Sequence, residues 1–133
     1  MLVVDGQGLP LGSLVTSASP YEGNLLEPTM ANSFACEKLQ RLICDRAYDN
    51  DGLRHRLKLR DIDLIVPHKS NRVHLTQDRR KLRRYNRRWI VERTMAWLHN
   101  YRRLVTRWER HVEIYTAFLH IVCILLILNR VLK

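Results

Sequence analysis

Two short apolar runs open the chain, Leu2–Val4 and residues 9–16, with Asp5-Gly6-Gln7-Gly8 between them. β-Branched runs joined by residues that tolerate positive φ predict a β-hairpin. After a turn at residues 20–27, Leu25, Leu26, Met30, Phe34, Leu39 and Leu42 recur near helical spacing, which predicts a helix reaching to about residue 42. Leu42-Ile43-Cys44 is a short apolar run ending at Asp45 and reads as a buried strand. Asp49-Asn50 offers an N-cap for a helix over residues 52–59, and DIDLIV (residues 61–66) is another strand closed by Pro67. Residues 68–77 are a polar loop. Thr76 or Asp78 can then cap one long helix to about Trp108, and a last apolar helix follows over Val112–Val131. The order β-β-α-β-α-β-α-α predicts an α/β layered fold.

The most apolar stretch, IVCILLIL (residues 121–128), is eight residues long, against the ~20 that a membrane span needs. Widening it takes in Glu113, His120, Asn129 and Arg130, so a buried core helix is expected and a membrane is not. The start, MLVVDGQGLP, has no basic region and too short an apolar run for a signal peptide. Three Cys without a CxxC pair suit a reducing cytosol, and the expected location is cytoplasmic.

Charge changes the picture more than composition does. The chain is 46% apolar, enough for a core, and carries a formal +10. Residues 79–110 hold eleven Arg and one Lys against Glu92 and Glu109, while the rest of the chain balances its charges. The entire excess lies in one segment, which points to a polyphosphate partner, nucleic acid first among them. Arg in place of Lys strengthens that reading, because guanidinium forks match phosphate oxygens bidentately. Trp89, Trp97, Tyr101 and Trp108 interleave with the cations and are expected mostly in the core.

On an ideal helix Tyr85, Arg88, Glu92, Ala96 and His99 share one face, and Ile90, Trp97, Leu98, Tyr101, Leu104 and Val105 the opposite, packing face. Glu92 admits two readings: a solvated helix Glu paired with Arg88, or a carboxylate holding a divalent metal against DNA. Asp45 likewise is either an ordinary strand-end Asp or the second carboxylate, presented at the carboxyl edge of an α/β sheet. Asp49-Asn50-Asp51-Gly52 is not a calcium loop, since the first and twelfth ligand positions would be Ala47 and Lys58. His pairing, P-loop, GxSxG and Rossmann glycine patterns are absent.

The block RRYNRRWIVERTMAWLHNYRRLVTRWER, with its Tyr85-x2-Arg88-x3-Glu92, resembles the Y-R-E signature of bacterial insertion-sequence transposases, most of all the IS5 group of the IS4-like DDE transposases. CDRAYDND (residues 44–51) is similar to that family's segment around its second catalytic Asp, and LVVDGQGLPLGSLVTSAS (residues 2–19) to the hairpin after its first catalytic strand. The likeness covers nearly the whole chain.

The resemblance implies a partial ribonuclease H-like fold: hairpin, mixed sheet lacking its first central strand, long Arg-rich helix and apolar C-terminal helix. It implies that Asp45 and Glu92 are catalytic and hold Mg²⁺, with Mn²⁺ as the alternative ion. It implies DNA contacts from Tyr85, Arg88, Arg83, Arg84, Arg87 and Arg93. Where the family has Lys or Arg seven residues after the Glu, this chain has His99, which the resemblance makes a further DNA contact. The family's first catalytic Asp lies upstream, and Asp5, in the hairpin turn, is not assigned its role. Residues 1–133 therefore resemble the C-terminal part of a single catalytic domain, a truncated copy or a second reading frame. The implied partners are transposon ends and target DNA, the upstream segment and a second copy. Without the first Asp, the polypeptide alone is expected to be inactive and poorly ordered, with β edges at residues 2–4 and 42–44 facing a gap. The competing expectation is a basic nucleic-acid-binding domain with no chemistry.

Overall fold

The computed structural model describes residues 1–33, 39–73 and 78–132. The chain is mixed α/β, with small sheets among several helices. Strands β1 (Leu2–Val4) and β2 (Pro10–Ser13) form the expected antiparallel hairpin, with a register shift between Val3 and Val4. Its turn is tied by Asp5, whose Oδ1 accepts from the amides of Gln7 and Leu9, both at 2.8 Å. That carboxylate serves the turn.

Helix α1 (Leu26–Ala31) follows a single 3₁₀ turn and ends at Asn32, so the helix expected to reach residue 42 is much shorter. Phe34, which belonged to that pattern, lies outside the described residues. Strands β3 (Arg41–Ile43) and β4 (Asp63–Ile65) pair in parallel, joined by α2 (Asp51–Lys58). Asn50 caps α2 by accepting from the Leu53 amide at 3.1 Å, the predicted start. Leu26, Met30, Leu42, Cys44, Leu53, Leu57, Ile62, Leu64 and Val66 form the core of this half. The expected mixed sheet is instead two separate two-stranded sheets, β1-β2 and β3-β4. Both β1 and β3 line a cleft of about 670 Å³ between them.

The long Arg-rich helix is not continuous. Asp78 caps α3 (Arg79–Leu82) by accepting from Arg80 N at 2.8 Å; residues 83–88 are 3₁₀, and α4 (Trp89–Leu98) begins at Trp89. The other cap candidate, Thr76, lies outside the described residues. Like charges at i, i+3 and i+4 repel along an α-helix, and RRYNRR has no acidic residue to offset them. The chain turns again at residues 99–101 before α5 (Arg102–Val105), which lets both Leu98 and Leu104 reach the last helix, α6 (Val112–Val131). Of the predicted packing face, Ile90, Leu98 and Leu104 are buried, but Trp97 and Val105 are exposed.

Helix α6 keeps its predicted bounds but is not a buried core helix. Tyr115, Phe118, Leu119, Val122, Cys123 and Leu126 pack against Leu98, Leu104, Leu2 and Tyr101. Ile114, Ile121, Ile124, Leu128 and Val131 face outward and are exposed. Apolar residues surround the whole helix, while its neighbours cover one side. By length and composition alone it could also cross a membrane.

Polar contacts lock this arrangement. Thr94, fully buried on α4, donates to the Gly8 carbonyl at 2.7 Å, and at the surface Arg93 donates to the Gln7 carbonyl at 2.6 Å. Gly8 has φ +93°, and a Cβ there would lie 2.8 Å from Thr94 Oγ1. On the other half Asp49, its side chain 1% exposed, accepts from Arg54, Arg72, the Lys69 amide and the ring of His68, fastening residues 68–72 to the start of α2. Burial works to raise the Asp49 pKa, but the Lys69 amide, His68 and Arg72 outweigh it and hold the carboxyl down at about 2. The acidic run dismissed as a calcium loop thus has structural work, with Asp51 paired to Arg72.

Gly8→Ala is expected to destabilise the chain by about 1–3 kcal/mol through strain and the clash with Thr94, read from urea unfolding. Because the Asp49 pKa is depressed on folding, its stabilisation is complete above the ordinary value of 3.8 and is lost as pH falls toward about 2. Asp49→Asn should cost roughly 3 kcal/mol at neutral pH and flatten the stability profile in that acid window.

Candidate active site

Asp45 stands immediately after β3, where extended backbone gives way to a 3₁₀ turn (Arg46–Tyr48) whose first amide, Arg46 N, donates to its Oδ1 at 2.6 Å. Its carboxylate therefore points out of the sheet's carboxyl edge into the β1–β3 cleft. Across the cleft, the segment 85–92 supplies the other side chains. In a 3₁₀ helix residues i and i+3 eclipse, and in an α-helix i and i+4 share a face. The spacing Tyr85-x2-Arg88-x3-Glu92 spans the 3₁₀-to-α junction and so aligns all three side chains.

The result is a cluster centred on one guanidinium. Arg88 Nη1 lies 2.9 Å from Asp45 Oδ1, and Nη2 lies 2.5 Å from Glu92 Oε1. Tyr85 donates to Asp45 Oδ1 at 3.4 Å, and Arg88 Nη1 donates to the Tyr85 oxygen at 3.3 Å. Partial burial works to lower the Arg88 pKa, but the bond to Glu92 and the charge of Asp45 win and raise it, so this group stays charged. Asp45 and Glu92, 47 residues apart, are thus separated in space by no more than one guanidinium.

Arg84 and Arg87 line the same cleft, and Arg83, Arg84 and Arg87 are all exposed. The two other expected DNA contacts are placed differently. Arg93 faces the hairpin, its guanidinium carbon 4.7 Å from the ring centres of both Trp89 and Trp97 and one nitrogen on the Gln7 carbonyl. Those tryptophans, at i−4 and i+4, flank a cation at the surface instead of filling the core. His99 is the C-cap of α4 and borders a second cleft, with Met95, Leu98 and Leu104, not the one holding the carboxylates. Missed from the sequence were Thr94 and Gly8, whose contact fixes the rotation of α4 two residues beyond Glu92. A Gly in a hairpin turn was the one available signal.

The donor set can be tested against a divalent ion. Two carboxylates are hard oxygen donors, and a cationic group already sits between them, so the pair is suited to sharing one cation. Among the described residues no group of three or more His, Cys, Asp and Glu could hold a metal. The neighbouring Cys44 offers no nucleophile: burial, with the charge of Asp45 added, pushes its thiol up to about 12.

Comparison with known proteins bears on this arrangement. Residues 1–128 match the family model described as "Transposase DDE domain". The chain is 34% identical over 136 residues to a protein of Burkholderia cepacia named as a transposase for insertion sequence element IS402. The alignment covers 96% of this chain and 61% of that relative. No solved structure matches. With the family model spanning almost its entire length, the chain belongs to the DDE transposase domain family.

Proposed function

We propose that this chain carries two of the three carboxylates and the DNA-holding face of an IS5-group insertion-sequence transposase with a ribonuclease H-like catalytic domain. The observation that carries the reading is the convergence of Asp45 and Glu92 on Arg88, beneath the exposed Arg83, Arg84 and Arg87. The resemblance places the first carboxylate on a strand between the hairpin and the strand of the second Asp. The cleft between β1 and β3, both edges of which lack a strand partner among the described residues, supports that placement.

Asp45 and Glu92 are the residues that would hold Mg²⁺ or Mn²⁺. When bound, such ions acidify an attacking water or 3′-hydroxyl and neutralise the leaving oxygen of an in-line phosphodiester displacement. The chain's own residues do the rest. Arg83, Arg84 and Arg87 neutralise backbone phosphates and set the strand's register without reading bases. Tyr85 and Arg88 place donors where a scissile phosphate would enter, Tyr85 through a neutral hydroxyl and Arg88 through a planar fork. Asp45 is held at a fixed angle by the Arg46 amide, and Glu92 by the locked rotation of α4. Two carboxylates supply less ligand charge than the three that the resemblance implies.

Cleavage of a terminal-repeat duplex with Mg²⁺, measured on the chain joined to its upstream segment, tests this. Asp45→Asn and Glu92→Gln are each expected to lower cleavage by about three orders of magnitude while DNA binding persists. Arg83, Arg84 and Arg87→Ala should weaken binding and reduce the slope of log K against log salt by about 0.9 per lost phosphate contact. Undiminished cleavage in both carboxylate variants would remove Asp45 and Glu92 from the chemistry and leave this chain a DNA-holding role. Robust Mg²⁺-dependent nicking by the 133-residue chain alone would refute the need for a third carboxylate.

A further inference from the structure

Arg88 is distinguished from its neighbours by what it touches. Among the described residues Arg84 and Arg87 share the cleft but pair with neither carboxylate, whereas Arg88 engages one oxygen of each, Asp45 Oδ1 and Glu92 Oε1. Two carboxylates brought this close repel unless a cation lies between them, and the repulsion grows as the site loses water. A guanidinium fork satisfies both at once. The same contact blocks any other cation, since an ion reaching those two oxygens would meet the Arg88 nitrogens. The Arg88 side chain is 35% exposed, with solvent on one side, and its group is also the one best matched to a phosphate.

We infer that Arg88 is a positioning residue that acts as a placeholder cation: it holds Asp45 and Glu92 together while DNA is absent and yields its place to a divalent ion when it moves onto a DNA phosphate. The inference rests on the reading of Asp45 and Glu92 as metal ligands. It makes metal and DNA cooperative ligands, because each favours the state in which Arg88 has left the carboxylates. A protein built this way keeps its acidic pair aligned, yet does not assemble the ion site away from substrate.

Mn²⁺ binding to the 133-residue chain, followed by the EPR signal of the free ion, tests the inference without relying on activity. Arg88→Met is expected to bind Mn²⁺ about tenfold more tightly than the native chain, the scale of two exposed ion pairs removed from competition. Arg84→Met and Arg87→Met lose the same charge from the same cleft and should shift affinity by less than about threefold. Arg88→Lys, a point cation without the fork, should fall between and guards against a folding defect, which circular dichroism also checks. A short DNA duplex should tighten Mn²⁺ binding in the native chain and much less in Arg88→Met. Equal tightening by Arg84→Met, or none by Arg88→Met, overturns the placeholder role even if Asp45→Asn and Glu92→Gln abolish Mn²⁺ binding. Mn²⁺ binding indifferent to Asp45→Asn and Glu92→Gln, or absent from every variant, overturns the ligand reading and this inference with it.

Discussion

Unbalanced positive charge, confined to residues 79–110, is the constraint that the rest of this structure answers. Cations so closely spaced cannot continue a regular α-helix for long, because each turn stacks like charges. The chain relieves the repulsion in two places: Arg93 is drawn between two tryptophans, and Arg88 is neutralised by Asp45 and Glu92. Arg83, Arg84 and Arg87 remain exposed to solvent. The 3₁₀ segment that interrupts the helix is the one that carries Tyr85 and Arg88 to Asp45.

That site depends on two parts of the fold being held in register. Asp45 belongs to the β3-α2-β4 half, where the core packs around Leu57 and Val66, both fully buried. Glu92 belongs to α4, whose orientation is tied to the hairpin by Thr94 and Arg93. Among the described residues no strand pairing joins the two halves. The ion pairs Arg88–Asp45 and Lys81–Asp63 link the two parts, and exposed pairs contribute only about 0–1 kcal/mol each. Stability is therefore concentrated within the halves, and the cleft between them is where added chain or substrate has most effect on order.

Much of this was legible in the residues. The hairpin, the Asn50 cap, α2 and the bounds of α6 follow from turn chemistry and periodicity that no distant contact overrides. Asp45 and Glu92 could be singled out by position, one at a strand's end and one among cations. The spacing of three and then four was visible too, though its match to a 3₁₀-to-α junction needed coordinates. What escaped the sequence depended on partners far along the chain. Arg93 looks like any other Arg until Gln7, 86 residues away, accepts its hydrogen bond. Thr94 and Gly8 meet only in three dimensions, and the break at residues 99–101 reflects the pull of α6 on Leu98 and Leu104. For α6 itself, an apolar run too short to span a membrane and flanked by polar residues predicted a buried core helix, but its packing covers one side.

The choice of Arg at position 88 follows from the geometry. A Lys ammonium is a point charge and would bind one carboxylate well or two poorly, whereas the guanidinium offers separate nitrogens to Asp45 and Glu92. Tyr85 completes the arrangement from three residues earlier, its hydroxyl donating to Asp45 and accepting from Arg88. Because it is neutral, it orders the cluster without adding to the positive charge that already strains the segment. A cation at 85 would compete with Arg88 for Asp45, and an apolar residue would leave the Asp45 carboxylate with one fewer donor. Fork, hydroxyl and two acids thus form a balanced set, and within it the Arg88 fork is the member whose departure frees both carboxylates.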